Sequence, residues 1–291
     1  MKPRTFSIFV LCAMLLGRVC LAHNQTSQTT AALQFTLLRE YAIVIPVTVN
    51  GRNRCEFLLD TGASTTILSQ EFARKLRLRP LDRLELVTPT GSQLVVRSHL
   101  DQLTVGSKTA TQLEVLWSDL QEVRTLKREI CGVLGQNFLA QFNYLLDYQT
   151  RQLIFEDDEE LAHTLCGQPV PLIWHEGRPL ISAVQAGKKE AVRLVLDSGT
   201  PMLWLFEPKP AVNTTSQPWL VAASDAGRKL IQSDRLPSLR LGGLRFTNVP
   251  VIRTAATSFR QEDGLLPTNL FQAVYFNHRQ GVVIFNPRAI R

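Results

Sequence analysis

The chain has 291 residues, 45% hydrophobic and 20% charged, with a formal net charge of +7. That length and balance allow one large domain or two compact lobes and exclude wholesale disorder. Three of the basic residues (Lys2, Arg4, Arg18) fall in the first 22 positions, and the small remaining excess excludes the charge field that nucleic-acid binding needs.

The chain opens with Lys2 and Arg4, an apolar run from Phe6 to Leu16, and small residues ending at Ala22. This is the layout of a secretory signal peptide, so residues 1–22 are expected to be removed and the rest exported, to a periplasm or beyond the cell. The run is too short for a stable membrane span, and no later stretch is longer. Residues 23–34, rich in Gln and Thr, read as a flexible start. An alternating strand from Tyr41 to Val49 then meets Asn50-Gly51, a strong hairpin signal, and a second strand delivers Asp60 in "FLLDTGASTT". A helix is predicted over Ser69–Leu78 with Ser69 as its N-cap, and its basic end, "RKLRLR", reads as a solvated face. A hairpin follows with its turn at Pro89-Thr90-Gly91, then a Gly-bearing strand pair over Leu103–Leu116. The half closes on Gly132–Phe155: a Gly-apolar-apolar step, a short helix, an aromatic strand, a polar turn and a last strand.

The same order then repeats. "EDDEE" (156–160) and the Gly/Pro-bearing stretch after it read as a solvated linker. A strand, a turn at Gly187 and a second strand deliver Asp197 in "LVLDSGTPM", 137 positions after Asp60. A hairpin turning at Asp225-Ala226-Gly227, a Gly-bearing strand pair over Leu239–Ile252 and a closing unit over Gly264–Phe285 complete it. The boundaries that follow are 35–157 for a first β-rich lobe, 158–168 for a linker and 169–291 for a second. Cys55, Cys131 and Cys166 lie beyond the signal; one pair can form in an oxidising compartment, and the sequence leaves open which. His99 and His278 fall in predicted surface turns without a role. Trp174, Trp204 and Trp219 read as packing residues.

Two carboxylates brought together raise each other's pKa and hold one proton between them. Such a pair deprotonates water and protonates a carbonyl at once, which suits amide hydrolysis without metal or covalent intermediate. Gly62 and Gly199 allow the chain to turn tightly after each aspartate. Thr61 and Ser198 have hydroxyls placed to bond across a two-fold axis. No cysteine–histidine spacing, phosphate loop, His-Glu-x-x-His or Gly-x-Ser-x-Gly pattern occurs, so neither metal nor cofactor is expected.

Asp60-Thr61-Gly62-Ala63-Ser64 resembles the active-site motif of retropepsins, and Asp197-Ser198-Gly199-Thr200 the second motif of two-lobed pepsins. Val133-Leu134-Gly135 and Leu265-Leu266-Pro267 resemble the late apolar-apolar-Gly motif, the second with proline for glycine. The chain thus resembles the aspartic protease superfamily, closest to a retropepsin-like lobe duplicated in one chain, of the bacterial exported type. The resemblance implies an all-β fold of two pseudo-symmetric β-barrel lobes with few short helices. It implies Asp60 and Asp197 as the catalytic pair, supported by Thr61, Gly62, Ser198, Gly199 and Thr200, the Thr200 hydroxyl on the outer carboxylate oxygen. Flaps at Thr90-Gly91 and Ala226-Gly227 would grip a peptide or protein substrate, and a monomer would suffice. Pro201 and Pro267 depart from the pattern and keep a second reading open: a scaffold that binds extended peptides without cutting them.

Overall fold

The computed structural model describes residues 32–89, 91–156, 161, 165–187, 190–207, 219–224, 227–255, 262–286 and 288–289. Among these residues the fold is all-β, with short α-helices at Gln70–Lys75, Gln121–Arg124 and Gln136–Leu139 and a 3-10 turn at Thr268–Leu270. Ser69 caps the first helix as predicted, its Oγ accepting from Phe72 N at 3.1 Å. That helix stops at Lys75, three residues before the predicted end at Leu78, because Arg77 takes a left-handed φ of 55°.

The first half forms an eight-stranded sheet. Its strands lie side by side in the order Thr36–Leu38, Ala42–Val49, Asn53–Leu59, Ile130–Leu134, Thr66–Ser69, Lys108–Ser118, Gly91–Val105 and Asp82–Thr88. The second half repeats that order: Ile173–His175, Arg178–Gln185, Ala191–Asp197, Gly264–Pro267, Leu203–Glu207, Leu244–Ala255, Gly227–Leu241 and Trp219–Ser224. Asn50 and Gly51 both have positive φ, the geometry a two-residue hairpin needs to match strand twist. Next to it, Asn53–Leu59 runs parallel to the late strand, pairing Phe57 with Gly132, Leu58 with Val133 and Leu59 with Leu134. In the second half Leu194 pairs with Gly264, Leu196 with Leu266 and Asp197 with Pro267. Each aspartate therefore leaves the end of a central strand that is hydrogen-bonded on both sides.

A six-stranded sheet joins the halves, ordered Ala32–Gln34, Gln152–Phe155, Tyr144–Asp147, Ala273–Asn277, Val282–Phe285 and Pro169–Pro171. At its centre Tyr144 pairs with Phe276 and Leu146 with Val274, so the two-fold relation of the halves runs through this sheet. One continuous core, including Phe57, Leu59, Phe138, Leu196 and Phe276, lies beneath all of it.

Three expectations change. Glu156, read as part of a solvated linker, is 5% exposed and accepts from Asn143 Nδ2 at 2.6 Å and Tyr275 Oη at 2.7 Å. His99 lies in the strand Gly91–Val105 rather than a turn, and His278 packs its ring against Tyr144, Trp174 and Phe276. Trp204 is buried as expected and donates to Thr254 Oγ1 at 2.9 Å, whereas Trp174 is 40% exposed.

Candidate active site

Each aspartate is held first by its own turn. Asp60 N donates to Leu134 O at 3.0 Å, which continues the parallel pairing by one residue. Gly62 N donates to Asp60 Oδ1 at 2.8 Å and Gly199 N to Asp197 Oδ1 at 2.7 Å. The glycines then bring the halves together. A Cβ placed on Gly62 would lie 2.6 Å from Asp197 Cγ, and one on Gly199 would lie 2.9 Å from Asp60 Cγ. Each carboxyl group thus rests on the glycine of the opposite turn, and the two share a hydrogen bond.

Thr61 and Ser198 lock this arrangement with four bonds. Thr61 N donates to Ser198 Oγ and Ser198 N to Thr61 Oγ1, both at 3.0 Å. Thr61 Oγ1 donates to Leu196 O and Ser198 Oγ to Leu59 O, both at 2.8 Å. Both residues are essentially fully buried, so each hydroxyl is satisfied as donor and acceptor by the other half alone.

Burial raises the pKa of both carboxyl groups above the ordinary range. At Asp197 the charge of Asp60 adds to burial, and the shared hydrogen bond favours its acid form, so it lies well above that range. For Asp60 the Gly62 N–H and the bond from Asp197 oppose the burial effect. Asp197 is 8% exposed, whereas Asp60 keeps more of its surface open. The pair is therefore unequal, with Asp197 the better proton holder. Arg178, clamped by Glu262 at 2.8 Å, sends a weaker opposing field to Asp197.

Behind the turns the halves differ. In the first, Gly135 N donates to Thr66 Oγ1 at 3.2 Å, and Thr66 Oγ1 donates to Asn137 Oδ1 at 2.8 Å. Gln136 Nε2 reaches Thr61 O at 2.8 Å. Gly135 is also required by space, since a Cβ there would meet Thr65 C at 2.6 Å. These supports escaped the sequence reading; their signal was polar residues at fixed offsets, Thr66 four beyond Gly62 and Gln136 one beyond Gly135. In the second half the same positions hold Leu203, Pro267 and Thr268, none able to repeat those bonds. Thr200 differs from expectation as well: its hydroxyl donates to Met202 O at 3.2 Å rather than to a carboxylate oxygen. Pro201 proves less of a departure. Its counterpart Ser64 contributes a carbonyl, accepting from Asn137 N at 3.0 Å, and a proline carbonyl can accept equally well.

The strands on either side of both predicted hairpin turns pair with each other. Thr88 pairs with Gly91 and Ser224 with Gly227 across their turns, while Thr90 and Ala226 lie outside the described residues. Cys55 and Cys131 form a disulfide, with Cα atoms 6.1 Å apart, tying the strand that delivers Asp60 to its parallel neighbour.

No curated protein matches the chain. Residues 45–141, which carry the first aspartate turn and its late motif, match the model of the gag-polyprotein putative aspartyl protease family; the match lies within the first of the two halves.

Proposed function

We propose that this protein is an exported aspartic endopeptidase whose catalytic pair is Asp60 and Asp197. One observation carries the reading: each carboxyl group is seated on the glycine of the opposite turn, close enough to share one proton. Asp60, the more solvated, takes a proton from a water whose oxygen attacks the peptide carbonyl carbon. Asp197 gives its proton to the carbonyl oxygen, forming a neutral gem-diol. Asp60 then returns its proton to the leaving nitrogen while Asp197 takes one from a diol hydroxyl, which breaks the C–N bond, releases an acid and an amine and restores the pair. The four bonds of Thr61 and Ser198 hold the carboxyl groups in register through these transfers. The hairpins turning at Thr90-Gly91 and Ala226-Gly227 act as flaps over an extended peptide.

Both halves of the site lie in one chain, so the active unit is a monomer of two lobes, 35–157 and 169–291. Export rests on the signal-peptide pattern of residues 1–22, and the Cys55–Cys131 disulfide supports an oxidising compartment. The test is digestion of denatured protein by the mature chain from acid to neutral pH, beside Asp60→Asn and Asp197→Asn. Each substitution is expected to lower cleavage by about 1,000-fold or more, since each carboxyl takes part in every proton transfer. Cleavage that survives either change sinks the pair mechanism. Pro267, which removes a support of the second turn, is what favours the alternative, a scaffold that binds extended peptides uncut. Peptide binding without cleavage at any pH selects that reading.

A further inference from the structure

The second aspartate turn has lost three supports that the first one has. Pro267 has no N–H to match that of Gly135, Leu203 has no hydroxyl to match Thr66, and Thr268 is too short to match the reach of Gln136. Asn269, counterpart of Asn137, donates across to Glu40 O at 3.4 Å, and its buried Oδ1 has no partner among the described residues. The turn that carries Asp197 would be the looser of the two if its own half were all that held it.

A residue of the first half supplies the missing contact. Tyr148 follows the strand Tyr144–Asp147, and its N–H donates to Gln272 O at 2.9 Å, which pins its backbone on the second half. Its phenol oxygen lies 2.6 Å from Thr268 Oγ1, and Thr268 is fully buried. Thr268 follows Pro267, and Pro267 is the parallel partner of Asp197. The ring is braced edge-on by Phe35, centroids 6.1 Å apart. The register of the central sheet makes His278 the two-fold counterpart of Tyr148, yet His278 packs among aromatic rings and has no hydrogen-bond partner among the described residues. The brace is therefore one-sided, from the first half to the second, where the proline stands.

We propose that Tyr148 is a positioning residue for Asp197: through Thr268 it holds the proline-containing turn that sets Asp197 against Asp60. The proposal rests on the reading of Asp60 and Asp197 as a working pair. Asp197 also raises the pKa of the Tyr148 phenol, after burial, so the two are electrostatically in reach.

The test reads the carboxyl groups directly, by carbon-13 NMR titration of labelled aspartates in the full mature chain. Loosening the turn weakens the coupling of the pair, so its two apparent pKa values approach each other. Tyr148→Phe and Thr268→Val are each expected to narrow that separation by about half a pH unit or more. Thr268→Ser, which keeps the hydroxyl, should restore the wild-type titration. On a peptide substrate Tyr148→Phe should lower kcat about tenfold with KM within about twofold. An unchanged separation in Thr268→Val, or a Thr268→Ser titration like that of Thr268→Val, overturns the proposal even if Tyr148→Phe fails to fold. A wild type that cleaves nothing but whose titration moves as described overturns the peptidase and leaves the brace standing.

Discussion

At the scale of single residues, Gly62 and Gly199 change meaning between sequence and structure. Read in sequence, a glycine after an aspartate signals a tight turn. Neither residue takes a positive φ, however, so a left-handed backbone is not the demand. The demand is space, because the facing carboxyl group occupies the volume a methyl would need. Gly199→Ala should therefore push Asp60 away from Asp197, destabilise the fold by about 1–3 kcal/mol as overpacking does, and abolish cleavage. Urea denaturation and a digestion assay check both, and an active, equally stable variant would show that the turns can part without cost. The aspartates and glycines were legible because their chemistry is local and occurs twice. Tyr148 was not, because its reach to Thr268 depends on how the central sheet registers residues 120 positions apart.

At the scale of elements, the parallel strand pair behind each aspartate is fastened differently. In the first half Cys55 and Cys131 bridge the pair. In the second, Arg193 N donates to Asp263 Oδ2 at 2.7 Å and Asp263 N to Arg193 O at 2.8 Å. A cross-link spanning 76 residues restricts the unfolded chain by about 4 kcal/mol in the loop-entropy account. Cys131→Ser should thus lower the urea midpoint clearly, and added dithiothreitol should lower that of the wild type to match while leaving the variant unmoved. Equal midpoints for oxidised and reduced wild type would remove the bridge from the stability of this half. Three cysteines beyond residue 22 left the pairing open in the sequence, since only the parallel register of the two strands brings Cys55 to Cys131.

At the scale of the whole molecule, two buried titrating sites oppose each other. The folded carboxyl pair holds protons that the unfolded chain releases, so stability falls as pH rises from about 4 through the raised values. His278 works the other way: burial lowers it to about 4, so the folded state resists a proton that the unfolded chain binds below about 6.5. Stability is then lost as pH falls from about 6.5 to about 4, which places the maximum in mildly acid solution. Asp197→Asn removes the repulsion at the centre and should raise the melting temperature at pH 7 by several degrees. At pH 4, close to the ordinary carboxylate value, the unfolded chain holds protons as well and the gain should shrink. A rise of the same size at both pH values, or none at pH 7, would mean that the pair carries no shared strain.

The sequence by itself determined the β-rich repeat, the hairpins before each aspartate, and both Asp-x-Gly turns, because strand alternation and turn chemistry are written in adjacent residues. Only the tertiary structure decided how those turns meet. The seating of each carboxyl on the opposite glycine, the four-bond lock of Thr61 and Ser198, the Cys55–Cys131 bridge and the Tyr148 brace all join residues at least 76 positions apart. Their distances come from sheet register and the two-fold packing of the halves, which no local pattern encodes.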